Sequence, residues 1–409
     1  MKSTLLKALL LSTIFGAALI QNYPAAEAAK YKEGQHPPPK PPEGKWENLL
    51  DGKMEDHWTD INVALHSATF SLKTDPTEGP VLAVGKAPTG LIRTLKPYEN
   101  FILEVDWRHL TEAPSAGGGN GTTGNSGLYV WADPLPTIGG PFTRAVEVQV
   151  CNLGNGAWYT SHGDLFPIWG ATMIPDPRFG ISGDRSMPIE FRCKKTGEWN
   201  HCRITCVDGT IQEEINGALV SAGFRASPRK GYICIESEGG PAEFRHMRVQ
   251  ELPGDPRLQP NQIAALMPTG TRAICLYNGM NLDGWTVAEG QKEEWKTNDR
   301  QLHCLGKTKG EALSQSLPAG DFTLVVDWNA GESAELPFKL DGLPLDAKVA
   351  GKGWKRSEFQ VQKGQVTVTH TAGKNREEAK LTGKPTALHL LNPGQSVTFC
   401  NLIVVESPK

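Results

Sequence analysis

Two nearly matching stretches decide the fold class: "FILEVDW" (101–107) and "FTLVVDW" (322–328). In each, apolar residues alternate with others and the stretch ends on Asp-Trp, which is the pattern of a strand with one buried face. Such strands must bury that face against a second sheet. Helical periodicity is scarce elsewhere, so we expect an all-β chain in which each stretch belongs to a β-sandwich.

Further landmarks recur around these two stretches in the same order. They are "LLDG" (49–52) with "LYNG" (276–279), Trp58 with Trp285, "EVQV" (147–150) with "EFQV" (358–361), and "FRHMRVQE" (244–251) with "FCNLIVVE" (399–406). An ordered set of matches indicates an internal duplication. The chain has 409 residues, more than one hydrophobic core usually organises. We therefore predict domains at 46–253 and 271–409, joined by a linker at 254–270.

Composition excludes several classes of partner. Hydrophobic residues make up 39% of the chain and the formal net charge is only -3. No basic block indicates a nucleic acid partner, and no later segment is apolar enough to span a membrane.

The first residues have the pattern of an export signal. Lys2 and Lys7 precede an apolar stretch at 8–20, and "AEA" (26–28) is a small-x-small cleavage motif. We predict a signal peptide at 1–28 followed by a Pro-rich tether at 29–45. The mature chain is then expected in the periplasm or outside the cell. Its eight cysteines could form disulfides there, although spacing leaves the pairing open.

Polar side chains alternate with the core positions of three strands in the first half. One strand offers Glu104, Asp106 and Arg108, the next Asn125, Tyr129 and Trp131, and the third Glu147 and Gln149. If the three strands pair in one sheet, its non-core face gathers the carboxylates, amides and aromatic rings of a sugar-binding site. The alternative is an ordinary solvated face with ion pairs.

A long insertion follows the third of these strands. Residues 151–171 carry Trp158, His162 and Asp164, and we expect this loop to form a wall over the face. His162 could act as a base or a metal ligand, or could be structural.

The ordered set of motifs resembles the 3-keto-disaccharide hydrolase family. It comprises "LLDG…W", "FILEVDWR", "NSGLYV", "EVQV", "GEWNHCRI", "INGALV" and "AEFRHMRVQEL", and it covers nearly all of 46–253. The resemblance implies concanavalin-like jelly-roll β-sandwiches, with 271–409 as a degenerate second copy. It also implies action on glycosides that carry a ketone at C3 of the sugar. Near the end, where relatives often have Gln-x-His-Gly, this chain has "ESEG" (236–239), and we place Glu236 among the substrate-binding residues.

The implied chemistry is an elimination followed by addition of water. A base removes the C2 proton, the enolate expels the aglycone from C1, and water adds to the product. Glu147 or His162 could be the base, and Arg108 or a bound divalent cation could stabilise the enolate oxygen. The chain has no nicotinamide or flavin motif, so a separate enzyme would oxidise the sugar.

Two other functions stay open at this point. Jelly rolls also serve as carbohydrate-binding modules without catalysis, and the Pro-rich tether would suit an envelope scaffold. For 271–409 we expect a role in stability, partner contact or glycan docking.

We predict that the exported chain begins near Ala29. Mass spectrometry of the secreted protein should show this new N-terminus, whereas an intact Met1 would contradict cleavage.

Overall fold

A computed structural model describes residues 44–406, apart from 66, 68, 112–121, 154–161 and 346. In the first half the strands are β1 (Trp46–Asn48), β2 (Trp58–Asp60), β3 (Phe70–Asp75), β4 (Gly79–Val84), β5 (Gly90–Thr94), β6 (Phe101–His109), β7 (Thr122–Ala132), β8 (Ala145–Leu153), β9 (Leu165–Ile168), β10 (Thr172–Pro175), β11 (Gly180–Ser182), β12 (Arg185–Met187), β13 (Asn200–Val207), β14 (Thr210–Ile215), β15 (Ala218–Ser227), β16 (Tyr232–Ser237) and β17 (Ala242–Glu251). A short helix, α1 (Met54–His57), precedes β2.

The second half continues the β pattern. Its strands are β18 (Arg272–Cys275), β19 (Thr286–Val287), β20 (Trp295–Asn298), β21 (Gln301–Cys304), β22 (Lys309–Ser316), β23 (Phe322–Asn329), β24 (Ser333–Glu335), β25 (Phe338–Leu340), β26 (Lys348–Ala350), β27 (Lys355–Gln362), β28 (Gln365–Ala372), β29 (Asn375–Thr382), β30 (Ala387–Pro393) and β31 (Val397–Glu406). In the described part of the chain, no helix has the length and apolar character needed to cross a membrane.

Two antiparallel sheets form the first half. Sheet A has the order β10-β15-β14-β13-β6-β17-β4-β3, with β1 beside β17, and sheet B has the order β11-β12-β9-β8-β7-β16-β5-β2. Their facing sides share one core, in which Leu103 and Trp107 of sheet A join Leu128 and Val148 of sheet B. The alternation of "FILEVDW" predicted this arrangement, because every second side chain of β6 is buried in that core.

The second half has its own sheets and its own core. Sheet C has the order β20-β21-β31-β23-β27-β28-β29, with β18 beside β31, and sheet D has the order β19-β22-β30-β25. Trp328, Phe338 and Phe359 lie in the core of this half. The predicted fold class is confirmed: the chain is all-β, with two concanavalin-like jelly-roll sandwiches in tandem. All eight cysteines are free thiols.

The two Asp-Trp strands occupy matching places in sheets A and C. β17 pairs with β6 and β31 with β23, each across a bulge, and φ is positive at His246 (49°) and Asn401 (48°). The expected match between "EVQV" and "EFQV" is wrong. β8 lies in sheet B, whereas β27 pairs directly with β23, as β13 does with β6. Short alternating strands look alike in sequence, so order alone misassigned this pair.

Asp327 of the second half holds a loop of the first half. Its buried carboxylate accepts two bonds from Arg356 (2.7 and 2.8 Å), one from Asn401 Nδ2 (2.7 Å) and one from the backbone N–H of Gly139 (2.9 Å). Arg356 also donates to the carbonyl of Pro136 at 2.8 Å. These hydrogen bonds attach the loop between β7 and β8 to sheet C.

A second set of bonds joins β2 to β18. The Thr59 hydroxyl accepts from the backbone N–H of Ala273 at 2.7 Å, and Asp60 Oδ2 accepts from the N–H of Cys275 at 2.8 Å. Hydrogen bonds therefore join the two sandwiches at two separate places, one between β2 and β18 and one around Asp327.

Asp327→Asn should destabilise the protein strongly. It would leave the guanidinium of Arg356 buried without a counter-charge, which costs about 3–5 kcal/mol. Denaturant unfolding should show a loss of this size, and hydrogen exchange should become faster in 133–143. Glu289→Gln, at an exposed position, is the control. A loss no larger than that of the control would contradict the role of Asp327.

Candidate active site

Two carboxyl groups meet above Gly127 on the face of sheet B that is turned away from the core. β7 lies between β8, which carries Glu147, and β16, which carries Glu236. A Cβ atom built on Gly127 would lie 3.0 Å from Glu147 Oε1 and 2.7 Å from Glu236 Oε2. Both distances are tighter than ordinary contacts, so a residue without a side chain is needed for the two carboxyls to converge here.

Polar groups surround this pair on the same face. The Tyr129 hydroxyl donates to Glu236 Oε1 at 2.8 Å, and Asn125 Nδ2 donates to Glu238 Oε2. Three buried acceptor atoms have no hydrogen-bond partner among the described residues: Glu236 Oε2, Gln149 Oε1 and Asn125 Oδ1. Buried polar atoms are normally paired, so three unpaired acceptors on one face of a sheet are unusual and mark this face as a candidate site.

Arg185 of β12 supplies positive charge beside the carboxyls. Its guanidinium lies 4.0 Å from the centre of the Phe166 ring, and Nη1 is 3.8 Å from Asp164 Oδ2. Arg185 also lowers the pKa of Glu147 through its charge. It therefore partly offsets the accumulation of acidic groups on this face.

Burial dominates the protonation of the carboxyls. It raises the pKa of Glu147 to about 8, with further increases from Glu238 and Asp164 and decreases from Arg185 and Tyr129. Burial, followed by the charges of Glu147 and Glu238, raises the pKa of Glu236 well above its usual range. Burial likewise raises the pKa of Glu238. Like charges this close cannot all ionise, so the cluster holds protons near neutral pH.

Three predicted site residues lie on the other sheet. β6 belongs to sheet A, so the expectation that it pairs with β7 and β8 in one sheet is wrong. Arg108 donates to Glu243 at 2.7 and 2.8 Å. Glu104 and Asp106 share this outer face of sheet A with Arg108 and pair with partners there. Arg108 is thus separated from Glu147 by the thickness of the sandwich.

Trp131 also lies elsewhere than predicted. Its φ of 57° marks a break in the alternation of β7, where the register with β16 shifts between Tyr232 and Cys234. The ring therefore enters the core, and its indole N–H donates to the carbonyl of Glu99 at 2.7 Å. A bulge changes the face of the sheet to which the following side chain points, and the alternation of residues in the sequence does not reveal the bulge.

His162 packs in the interior. Its ring stacks on Trp107 at 4.3 Å, and the ring of His109 is 5.5 Å away. Burial, together with His109, lowers the pKa of His162 well below its usual range, so it is neutral at physiological pH. It does not share the outer face with Glu147, which contradicts the expected placement. Trp158, also predicted in the insertion, lies outside the described residues.

The predicted residues Glu147, Gln149, Asn125, Tyr129, Asp164 and Glu236 do lie together on the outer face of sheet B. Sequence reasoning missed Glu238 and Arg185. Alternation along β16 could have placed Glu238 beside Glu236, whereas nothing in the sequence links Arg185 to this face. Among the described residues, no group of three or more His, Cys, Asp or Glu side chains is arranged to hold a metal ion.

Gly127→Ala should destabilise this site. The new methyl group would meet both carboxyls, and overpacking of this kind costs about 1–3 kcal/mol. Denaturant unfolding would measure the loss. Gly254→Ala is a matched control, because Gly254 is exposed and the three atoms nearest to its Cβ, the closest at 3.0 Å, all belong to the carboxyl group of Glu99. Equal stability of the two variants would show that Gly127 is not required for the close approach.

Comparisons with known proteins identify the family. A family model described as the 3-keto-alpha-glucoside-1,2-lyase-like domain matches residues 45–250, half of the chain. No curated protein matches in sequence. Two solved structures of candidate glycosyl hydrolases from Parabacteroides distasonis are similar. The first is 20% identical over 52% of this chain and 95% of its own, with a TM-score of 0.37. The second is 22% identical over 51% of this chain and 100% of its own, with a TM-score of 0.36. A carbohydrate-binding module from Bacillus subtilis matches with 11% identity over 46% of this chain and 98% of its own, with a TM-score of 0.29. On the strength of the family model, which coincides with the motifs of the first half, the chain belongs to the 3-keto-alpha-glucoside-1,2-lyase-like family.

Proposed function

We propose that the protein cleaves glycosides that carry a ketone at C3 of the sugar, and that the outer face of sheet B performs the chemistry. Membership of the family supports a carbohydrate-related function. The observation that carries the finer proposal is the pair of buried carboxyls above Gly127. Acid–base catalysis works best with groups whose pKa lies near the working pH, and Glu147, with a pKa of about 8, is such a group.

Glu147 is the proposed base. The C3 ketone acidifies the C2 proton, and the Glu147 carboxylate takes that proton while the electron pair moves to the C3 oxygen. The enolate then reforms the C3 carbonyl and expels the aglycone oxygen from C1, leaving a double bond between C1 and C2. Water adds at C1 and C2 regains a proton, which completes a hydrolysis.

Neighbouring groups take the remaining roles. Glu236, which holds a proton, donates it to the departing aglycone oxygen. Arg185 is the cation beside the carboxyls that suits the enolate oxygen, whereas the Tyr129 hydroxyl already donates its proton to Glu236. Arg185 replaces Arg108 in that role, since Arg108 lies on sheet A.

We propose that this work takes place outside the cytoplasm. The support is the signal-peptide pattern of residues 1–28, which lies outside the described part of the chain. The ketone substrate has to be made by a separate oxidising enzyme that acts on the same sugar.

Glu147→Gln should abolish turnover of a 3-keto-glucoside with a chromogenic aglycone, assayed with and without chelator. A loss of at least about 10²-fold is expected for a general base, while ligand binding stays within a few-fold. In the wild-type protein, kcat/KM should rise with pH as Glu147 ionises, up to about pH 8.

Glu358→Gln is the control, because it removes the Glu of the similar "EFQV" stretch in the second half. Turnover unchanged in Glu147→Gln would remove Glu147 from the mechanism. Binding of the substrate by the wild-type protein without any release of aglycone would favour a carbohydrate-binding protein instead.

A further inference from the structure

A second cleft lies on the outer face of sheet A, on the other sheet from the carboxyl pair. It has a volume of about 580 Å³ and is lined by Trp46, Asn48, Glu104, Asp106, His201, His246 and Arg248. These residues come from β1, β6, β13 and β17, which are neighbours in the sheet. The cleft therefore rests on strands rather than on loops, which favours a fixed arrangement of its side chains.

Both carboxylates of the cleft are already engaged by basic side chains. Glu104 Oε1 accepts from Arg203 Nε at 2.9 Å, and its Oε2 accepts from Arg248 Nε at 2.8 Å. Asp106 Oδ1 is bonded to His201 Nδ1 at 2.8 Å, and its Oδ2 to His246 Nδ1 at 3.0 Å. The acidic groups thus orient the basic ones and leave little negative charge for a ligand to meet.

The bulge in β17 brings His246 into the cleft. The register between β17 and β6 shifts between Arg245 and Arg248, and His246 has a φ of 49°. The extra residue puts His246 on the outer face together with Arg245 and Arg248, while Met247 between them enters the core. Bulges often re-aim a side chain beside a functional site.

What remains available in the cleft are donors. The side chains of His201 and His246 are 49% and 59% exposed, and their Nε2 atoms have no hydrogen-bond partner among the described residues. With Nδ1 bonded to Asp106, a protonated imidazole presents Nε2–H to a ligand. The Arg248 guanidinium lies 4.4 Å from the centre of the Trp46 ring, within the range of a cation–π contact. Two imidazoles and one guanidinium together suit a planar anionic group.

We propose that this cleft is a second carbohydrate site and that it binds a sugar bearing a carboxylate. His201, His246 and Arg248 would hold the carboxylate, while Trp46 and Asn48 contact the sugar ring and its hydroxyls. This inference rests on the proposed function in one respect only, namely that the ligands of the chain are carbohydrates. It requires no turnover at Glu147.

Binding should weaken as pH rises. Hydrogen bonding to Asp106 raises the pKa of His201 despite partial burial, so the imidazolium persists further toward neutral pH. The charged groups on these strands are Glu47 on β1, Glu104, Asp106 and Arg108 on β6, Arg203 on β13, and Glu243, Arg245, Arg248 and Glu251 on β17. Arg108 pairs with Glu243, and Arg245 with Glu78. Burial raises the pKa values of Glu104 and Asp106, but hydrogen bonds to their basic partners outweigh it and lower both, so deprotonation of His201 is the change that removes anion affinity.

Calorimetric titration of the full chain with an oligogalacturonide tests the proposal. We expect binding at about pH 5.5 that is lost by about pH 8, a range in which histidine titrates. The double variant His201→Gln/His246→Gln should bind at least about tenfold more weakly, as expected when charge-assisted hydrogen bonds are lost. His303→Gln, in the second half, and Glu147→Gln should bind as the wild type does.

Several outcomes would overturn the proposal. The first is an affinity for the fully methyl-esterified oligomer equal to that for the acidic one. The second is an affinity of the double variant equal to that of the wild type. The third is an affinity for inorganic sulfate or phosphate equal to that for the acidic oligomer, which would mean a simple anion site. If the double variant does not fold, the imidazole resonances of His201 and His246 in the wild-type protein provide the readout. They should shift on addition of the acidic oligomer and stay unchanged with its ester.

Discussion

The convergence of two carboxyl groups over a glycine is the constraint on which the candidate site depends. Glu147 and Glu236 extend from strands on either side of β7, and Gly127 leaves the space in which they meet. Their burial opposes ionisation, and each opposes the ionisation of the other. The fold therefore keeps a proton on this face near neutral pH. The proposed reaction moves a proton from carbon to a leaving oxygen, so it needs both a protonated carboxyl group and an ionised one.

The two Asp-Trp strands show how one pattern serves two purposes. In sheet A, Asp106 orients two histidines toward an open cleft. In sheet C, Asp327 is fully buried and binds the loop that connects β7 to β8. That loop also carries Phe142, whose ring contacts Tyr129 at 6.2 Å beside the carboxyl pair. The second sandwich thus supports the edge of the site in the first.

The two sheets of the first sandwich hold their acidic residues in different surroundings. Glu147 and Glu238 are buried on sheet B, and burial raises the pKa of both; the charge of Glu238 raises that of Glu147 further. On sheet A, Glu104 and Asp106 each meet basic partners, and these hydrogen bonds lower their pKa values although burial works in the opposite direction. The pKa of a carboxyl group is therefore raised on one outer face and lowered on the other.

The sequence by itself determined the all-β class, the repeated strand pattern and most of the sheet B residues, among them Glu147, Tyr129 and Asp164. Alternation of side chains is a local property, and it survives in any correct strand assignment. Tertiary structure alone decided which strands share a sheet, because strand pairing joins residues far apart in the chain. It moved Arg108 away from Glu147, turned Trp131 into the core through a bulge, and brought Arg185 to the carboxyls.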